Sequence, residues 1–400
     1  MPMSSMAVDV WGTDIIGGAL FEAGDLDGIV EPTGRGPIPL PWNTGGSSFV
    51  PMWMRRENGS PFFGDPRRVL AEVLARYAKR GLTPVVALEL EFHLIRPFDG
   101  ISPQPVSPLP AGHAGGRDTI YSLDELGSAE PFLNTVHADA EACGISLEAV
   151  TAESGPGQYE VVLSHLPDAL KAADDAVFLK QIIRNAAQRH GVQASFMAKP
   201  YMAHAGNGLH MHVSLLDAAG RNIFDDGGPD GQPVMRHAVA GLLGALHDTA
   251  LIFAPHCNSA RRLRPGTLAP VNASWGYENR TAAVRIPGGP ASARRIEHRV
   301  AGVDANPYLV MAAVLASALY GIEQGQEPAP RIDNNIGPGA DAPIPPDWRQ
   351  MIEAFEQSTL CRTLFPAEFI ALFSACKRQE LGVFEAEISP LEYMTYLGMI

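Results

Sequence analysis

Apolar positions along the chain follow two rhythms, one of helices and one of strands. Leu70, Val73, Leu74 and Tyr77 recur at the spacing of one helix face, with Asp65 as a suitable N-cap, Pro66 in the first turn and Gly81 as the stop. Residues 84–95 form an apolar run into which Glu89, Glu91 and His93 alternate, the period of two of a strand. The same reading predicts helices over 124–144, 167–190 and 233–254, and another from Asn306-Pro307 to residue 325. Strands are predicted over 145–150, 159–163, 209–216, 281–286 and 294–300. Residues 98–118, rich in Pro and Gly, read as a long loop, and the tail reads as helical with a Pro-rich break at 328–346. Before Asp65, short apolar stretches at 6–10, 28–30 and 49–54 alternate with turn material, the pattern of a small β-rich module. The predicted class is α+β, with residues 1–64 as the module and 65–400 as a larger mixed domain.

Composition narrows the function classes. Apolar residues make up 46% and charged ones 18% of 400 residues, which excludes a disordered or coiled-coil chain. Acidic residues outnumber basic ones by 44 to 30, giving a net charge of −14, the wrong sign for a protein that tracks phosphates of nucleic acid. The four cysteines show no C-x-x-C spacing, so neither a zinc site nor a disulfide framework is implied. The longest apolar run, 308–322, is too short for a bilayer and Met1 to Val10 lacks a basic leader. A soluble cytoplasmic protein without a membrane or nucleic-acid partner is expected.

Three predicted strands place polar groups side by side, because residues i and i+2 share a face. Glu89 and Glu91 set two carboxylates together, His210 and His212 two imidazoles, and Arg295, Glu297 and Arg299 an alternating row. Each pattern alone equally describes a solvated or salt-bridged face. Their coincidence with Glu153 and Glu160, which flank a Gly-rich bend, favours a cation between the carboxylates, and this donor set suits Mg²⁺ or Mn²⁺ better than zinc. Arg261, Arg262, Arg264, Arg280 and Arg285 crowd a short segment of an otherwise acidic chain, as guanidinium forks for a carboxylate or phosphate would. Neither a P-loop nor a Rossmann glycine motif is present. Divalent metal beside an arginine cluster is the equipment of phosphoryl transfer.

The runs Glu89-Leu-Glu91, Gly157-Gln-Tyr-Glu160, Gly208-Leu-His-Met-His212, Asn258-Ser-x-x-Arg262, Asn279-Arg-Thr-Ala-Ala-Val-Arg285 and Arg295-Ile-Glu-x-Arg299 together resemble the glutamine synthetase superfamily, in its order and over nearly the whole chain from Asp65. The resemblance implies a β-grasp module, here shortened before Met1, ahead of a catalytic domain with a curved antiparallel sheet. It also implies a ring-shaped homo-oligomer, a hexamer or dodecamer. It implies ATP and about two to three Mg²⁺ or Mn²⁺ ions. One ion would be held by Glu91, Glu153 and Glu160, and another by Glu89, His210 and Glu297. Arg262, Arg299 and Gly206 would face glutamate; Arg280, Arg285 and Arg295 the ATP phosphates; and His212 and Ser214 the nucleotide. Glu153, Arg280 and Arg285 would be catalytic.

Two departures bear on the amine. Where the family carries a flap glutamate that helps bind ammonium, this chain reads Pro265-Gly-Thr-Leu-Ala-Pro270, with Leu268 at the acidic position. Where it carries an aspartate before a glycine in an N-terminal loop, Trp11 precedes Gly12. Both exchange an anion for a hydrophobe, which suits the carbon skeleton of an organic amine better than a cation that must be desolvated. The chain therefore resembles the γ-glutamyl–amine ligase branch, with glutamate and a small organic amine as substrates. An ammonia-using glutamine synthetase and a catalytically silent relative are the alternatives.

Overall fold

The computed structural model describes residues 1–15, 24–100, 102–107, 120–225, 228, 230–265, 269–334 and 344–399. Its strands are β1 (Ile29–Pro32), β2 (Ile38–Pro39), β3 (Ser48–Phe49), β4 (Met52–Arg55), β5 (Thr83–Ile95), β6 (Leu147–Ala152), β7 (Gln158–Leu163), β8 (Gln193–Ser195), β9 (Leu209–Leu216), β10 (Trp275–Tyr277), β11 (Val284–Ile286) and β12 (Ile296–His298). The helices are α1 (Pro66–Ala78), α2 (Leu123–Ala142), α3 (Ala169–Arg189), α4 (Pro233–Phe253), α5 (Cys257–Ala260), α6 (Pro307–Gln324), α7 (Trp348–Gln357), α8 (Thr359–Leu364), α9 (Ala367–Ala386) and α10 (Pro390–Tyr396). The class is α+β, as the periodicities predict.

Strand β5 is the spine of the main sheet, whose order is β10-β11-β12-β9-β5-β7-β6, with β8 also pairing to β5. Its alternation sorts side chains cleanly. Val86, Leu88, Leu90, Phe92 and Leu94 enter the core, as do Leu209, Met211, Val213 and Leu215 of β9 and Tyr159, Val161 and Leu163 of β7. Helices α2 and α3 add Phe132, Val136, Leu179 and Ile182 to the same core. Each such side chain contributes about 1.5–3 kcal/mol when fully buried. The opposite face of the sheet is thereby free for Glu89, Glu91, Glu160, His210 and His212.

Helix starts follow their predicted caps. Asp65 accepts from the Arg67 amide, with Pro66 at the first helical position, and Asn306 accepts from the Tyr308 and Leu309 amides. Helix α6 is buried nearly throughout and crosses α4 where Gly241 meets Gly321; a Cβ on Gly241 would lie 2.1 Å from the Ser317 carbonyl oxygen. The run 308–322 is thus a core helix, and no helix among the described residues is long and apolar enough to cross a membrane.

Four elements differ from the sequence reading, beginning with β8, for which no strand was predicted. Strand β10 was not anticipated, and it pairs parallel to β11 in an otherwise antiparallel sheet. The expected strand over 281–286 shortens to β11 because Asn279 Oδ1 accepts from both the Thr281 amide (3.0 Å) and its hydroxyl (2.7 Å), closing a local turn. The strand over 294–300 shortens to β12 as the Val300 carbonyl accepts from Arg262 Nη1 at 2.8 Å instead of a ladder partner. Much of the predicted loop 98–118 and of the Pro-rich break lies outside the described residues.

Residues before Asp65 form two small antiparallel pairs, β1 with β4 and β2 with β3. Met3, Ala7, Ile15, Met54 and Phe62 share a small cluster with Leu372 and Cys376 of α9, so this segment packs on the C-terminal helices. A buried charge knot ties it to α3. Asp174 receives Arg67 Nε at 3.0 Å and lies 3.2 Å from Arg35 Nη1, while Tyr308 donates its hydroxyl to the same carboxylate. Removing one partner strands the others in low dielectric. Asp174→Ala should therefore cost about 3–5 kcal/mol in denaturant unfolding, and a loss below about 1 kcal/mol would show that the knot contributes no more than a surface pair.

Candidate active site

The strand register writes the site across the sheet. Glu89 pairs with His210 between β5 and β9, and Glu91 with Glu160 between β5 and β7. Thr151 pairs with Glu160 between β6 and β7, Glu297 with His212 between β12 and β9, and Arg285 with Glu297 between β11 and β12. Residues separated by more than a hundred positions thus become neighbours on one face. Above them is a cavity of about 230 Å³. Glu89, Glu91, Glu153, Glu160, His210 and Glu297 line it, together with Arg262, Arg280, Arg285, Arg299 and Gly206.

Hydrogen bonds fix the groups one by one. Glu89 lies between two imidazoles, 2.9 Å from His210 Nδ1 and 2.7 Å from His212 Nε2. Glu91 Oε2 accepts from the Gly208 amide at 2.6 Å. Glu297 accepts from Arg285 Nη1 at 2.6 Å and from Arg299 Nη1 on its other oxygen. Arg295 Nε donates to His212 Nδ1 at 3.2 Å, outside the cavity lining and toward the end of β9 that carries Ser214. Among the described residues, two groups bring their donor atoms within 4.8 Å of one another: Glu89, Glu160 and His210, and Glu89, His212 and Glu297. Glu91 and Glu153 line the same cavity without joining either group.

The carboxylates compete electrostatically. Burial would raise Glu89, but hydrogen bonds from His210 and His212 overcome it and hold its carboxyl far below the usual range. Burial likewise opposes ionisation of Glu297, and the Arg299 guanidinium prevails over it. Glu160 has no comparable hydrogen-bonded partner among the described residues: burial, then Glu89, Glu91 and Glu153, push it well above the carboxylate range against a smaller opposing pull from Arg299. Burial and the Glu91 charge push Glu153 up to about 7. Five carboxylates and an imidazole around one space, two of the carboxylates driven toward protonation by burial and their neighbours, fit a hard divalent cation. Arg262 is fully buried, which pushes it down to about 10, so it stays cationic at neutral pH.

Most of the predicted residues converge. Exceptions are informative: Arg261 and Arg264 are exposed and absent from the cavity wall, so the arginine cluster reduces to Arg262, Arg280 and Arg285, joined by Arg299. Trp11 is half exposed and packs on Phe384 at a ring separation of 5.7 Å, away from the cavity. Leu268 lies outside the described residues. Sequence reasoning missed Ile120, Tyr121, Thr151, Gln158 and Ala269 in the wall. Thr151 and Gln158 were within reach, flanking the Glu153–Glu160 bend, whereas nothing local marks Ile120 and Tyr121.

Fold and cavity define a class: a carboxylate-rich cavity able to hold a cation, with arginines in its wall, built on an open, mostly antiparallel sheet. The sequence family described as "Glutamine synthetase, catalytic domain" matches residues 63–396, and the chain belongs to that family. It is 35% identical over 393 residues to gamma-glutamylputrescine synthetase PuuA of Escherichia coli, covering 96% of this chain and 83% of that protein. It is 35% identical to gamma-glutamylethanolamide synthetase GlnA4 of Streptomyces coelicolor, over 88% of this chain and 75% of the relative. Glutamate–isopropylamine ligase of a Pseudomonas species is 34% identical, over 86% and 75% respectively. The solved structure of GmaS without ligand superposes with a TM-score of 0.82 at 31% identity, over 94% of this chain and 86% of that one.

Glu153 keeps its proton to about 7 in the folded chain against 4.5 when unperturbed. Without a cation, the folded state therefore binds more protons than the unfolded one in that window, and its stability falls as pH rises through it. Glu160, raised further, extends the fall upward. Glu160→Gln replaces, at constant volume, a group that must take up a proton on folding at pH 8, so in EDTA at that pH it should raise Tm and flatten the pH dependence, and it should shrink the Tm gain on adding Mg²⁺. A lower Tm in EDTA would contradict this account.

Proposed function

We propose that this chain is an ATP-dependent ligase that joins the γ-carboxylate of glutamate to an organic primary amine through γ-glutamyl phosphate. The observation that carries the reading is the meeting, in one cavity, of the carboxylate–imidazole cluster with Arg262, Arg280, Arg285 and Arg299. The reading is supported by the relatives described above, which are named as synthetases of gamma-glutamylputrescine and gamma-glutamylethanolamide and as a glutamate–isopropylamine ligase.

In this reading Glu91, Glu153 and Glu160 serve one Mg²⁺ or Mn²⁺, and Glu89, His210 and Glu297 another, with Glu89 central to both donor groups in the ion-free chain. Bound cations would neutralise phosphate charge and template the phosphoryl transfer. Arg262 and Arg299 hold the glutamate carboxylate beside Gly206, since a buried guanidinium fork matches a carboxylate bidentately. Arg280 and Arg285 face the charge that builds on the transferring phosphoryl group. His212, Ser214 and Arg295 lie on the nucleotide side. Glu153, with its raised affinity for protons, is suited to take one from the incoming ammonium group so that the free amine can attack.

Ile120, Tyr121 and Ala269 give the cavity wall apolar surface near Glu153, and Leu268 is the sequence neighbour of Ala269. Each methylene buried there gains about 0.8 kcal/mol, which ammonium cannot collect. We further take residues 1–64 as a β-grasp-like module and 65–400 as the catalytic domain of a cytoplasmic homo-oligomeric ring. The exposed apolar side chains of Leu391, Met394, Leu397 and Met399 at the C-terminal end support an assembled state.

ADP release should require glutamate and a divalent cation, and Glu91→Gln should lower the rate by about two orders of magnitude. In a comparison of kcat/KM, an organic primary amine should exceed ammonium by about tenfold or more. Ammonium ahead by the same margin would overturn the branch assignment and leave a glutamine synthetase.

A further inference from the structure

Two irregular segments meet in the cavity wall, where Glu153 and Gly206 lie. One is the bend after Glu153; the other is the stretch through Gly206 to Gly208. Neither belongs to a strand; backbone bonds tie Gly157 to Leu94 and Gly208 to Glu91 of β5, while Gly155 and Gly206 lie beyond those anchors. A single side chain reaches both. Gln158 Oε1 accepts from the Gly155 amide at 2.8 Å, and Gln158 Nε2 donates to the Gly206 carbonyl at 3.0 Å.

Gln158 is itself held from behind. Its Nε2 also donates to Asn207 Oδ1 at 3.0 Å, and Asn207 Nδ2 donates to the Met197 carbonyl at 2.8 Å. That second bond fixes which end of the Asn207 amide is oxygen. His93 Nδ1 lies 2.9 Å from the same Oδ1, so it must carry the proton and donate. Gln158, Asn207 and His93 are 2%, 0% and 0% exposed, so no water competes at their surface. The bare His93 Nε2 has no partner and points at Gly155, where a Cβ would come within 2.8 Å of it and 2.9 Å of Gln158 Oε1. Only a glycine lets the bend approach this closely.

We propose that Gln158 is a positioning residue that sets the width of the amine end of the cavity, with Asn207 and neutral, Nδ1-protonated His93 as its support. The clamp fixes Glu153 against Gly206, and hence the distance between the proton acceptor for the amine and the bound glutamate. Amines of different bulk are then discriminated by a gap that cannot relax. The inference deepens the ligase reading and rests on it, because it assigns the clamp to the side where the amine enters.

The experiment compares Gln158→Met, His93→Phe and His93→Asn with the wild type, using methylamine, isopropylamine and butylamine as nucleophiles. Asparagine at 93 retains a donor near the place of Nδ1; phenylalanine does not. Gln158→Met and His93→Phe should each lower kcat/KM for glutamate and the best amine by about tenfold to a hundredfold, and should compress the ratio between best and worst amine by about threefold or more. The KM for ATP should stay within about twofold, and His93→Asn should recover most of the loss. An unchanged amine ratio, a loss shared equally by ATP and tracking Tm, or a His93→Asn as impaired as His93→Phe would overturn the clamp. If the wild type accepts only ammonium, the amine reading falls instead. The clamp is then judged by glutamate KM alone: a rise in Gln158→Met with ATP KM steady supports it, and no change refutes it.

Discussion

Carboxylates gathered on one buried sheet face repel each other, and the rest of the site is arranged around that repulsion. Glu89 is relieved by two imidazoles and Glu297 by two guanidinium groups, each within hydrogen-bond reach. For Glu160 and Glu153 the relieving contacts, Arg299 for one and Thr151 with Arg280 for the other, are outweighed, and burial with their neighbours' charge drives both toward protonation. A chain selected for stability alone would replace such groups with well-packed apolar ones. Keeping five of them in contact with one cavity makes sense where a cation completes the set, and the arginines among them supply the place for an anion to meet it.

The scaffold makes this tolerable by separating faces. The alternation in β5, β7 and β9 sends large aliphatic and aromatic side chains one way and the charged groups the other. The core therefore does not depend on whether the polar face is filled. Loops then bring what strands cannot: the bend bearing Glu153, the glycine segment at 206–208 and the Asn279 turn ahead of Arg285. Precision in those loops comes from buried side-chain amides added to a few backbone bonds to the sheet, which is why single hydrogen bonds matter there.

Much of this was legible in the sequence because strand periodicity is local. Glu89 with Glu91, and His210 with His212, each announce a shared face without any knowledge of the fold. Their meeting across β5 and β9 was not local information; it became legible through the resemblance of ordered motifs to one family. Chain segments governed by tertiary context stayed hidden. Strand β10 and the parallel pairing with β11 have no periodic signal in three residues. Ile120 and Tyr121 reach the cavity from the segment before α2, where their apolar character reads only as loop. Arg261 and Arg264 looked equivalent to Arg262, yet the turn after α5 buries only the last.

The most direct test of the account is calorimetric titration of Mg²⁺ into EDTA-stripped protein near pH 7, in two buffers of different ionisation enthalpy. If the raised carboxyls of Glu153 and Glu160 are the ones a cation engages, binding must displace protons, and the observed heat must differ between buffers by the protons released. Saturable binding with net proton release is the predicted result. Binding without proton release, or no binding at millimolar Mg²⁺ in the presence of ATP and glutamate, would contradict the claim that this sheet face is a divalent-cation site.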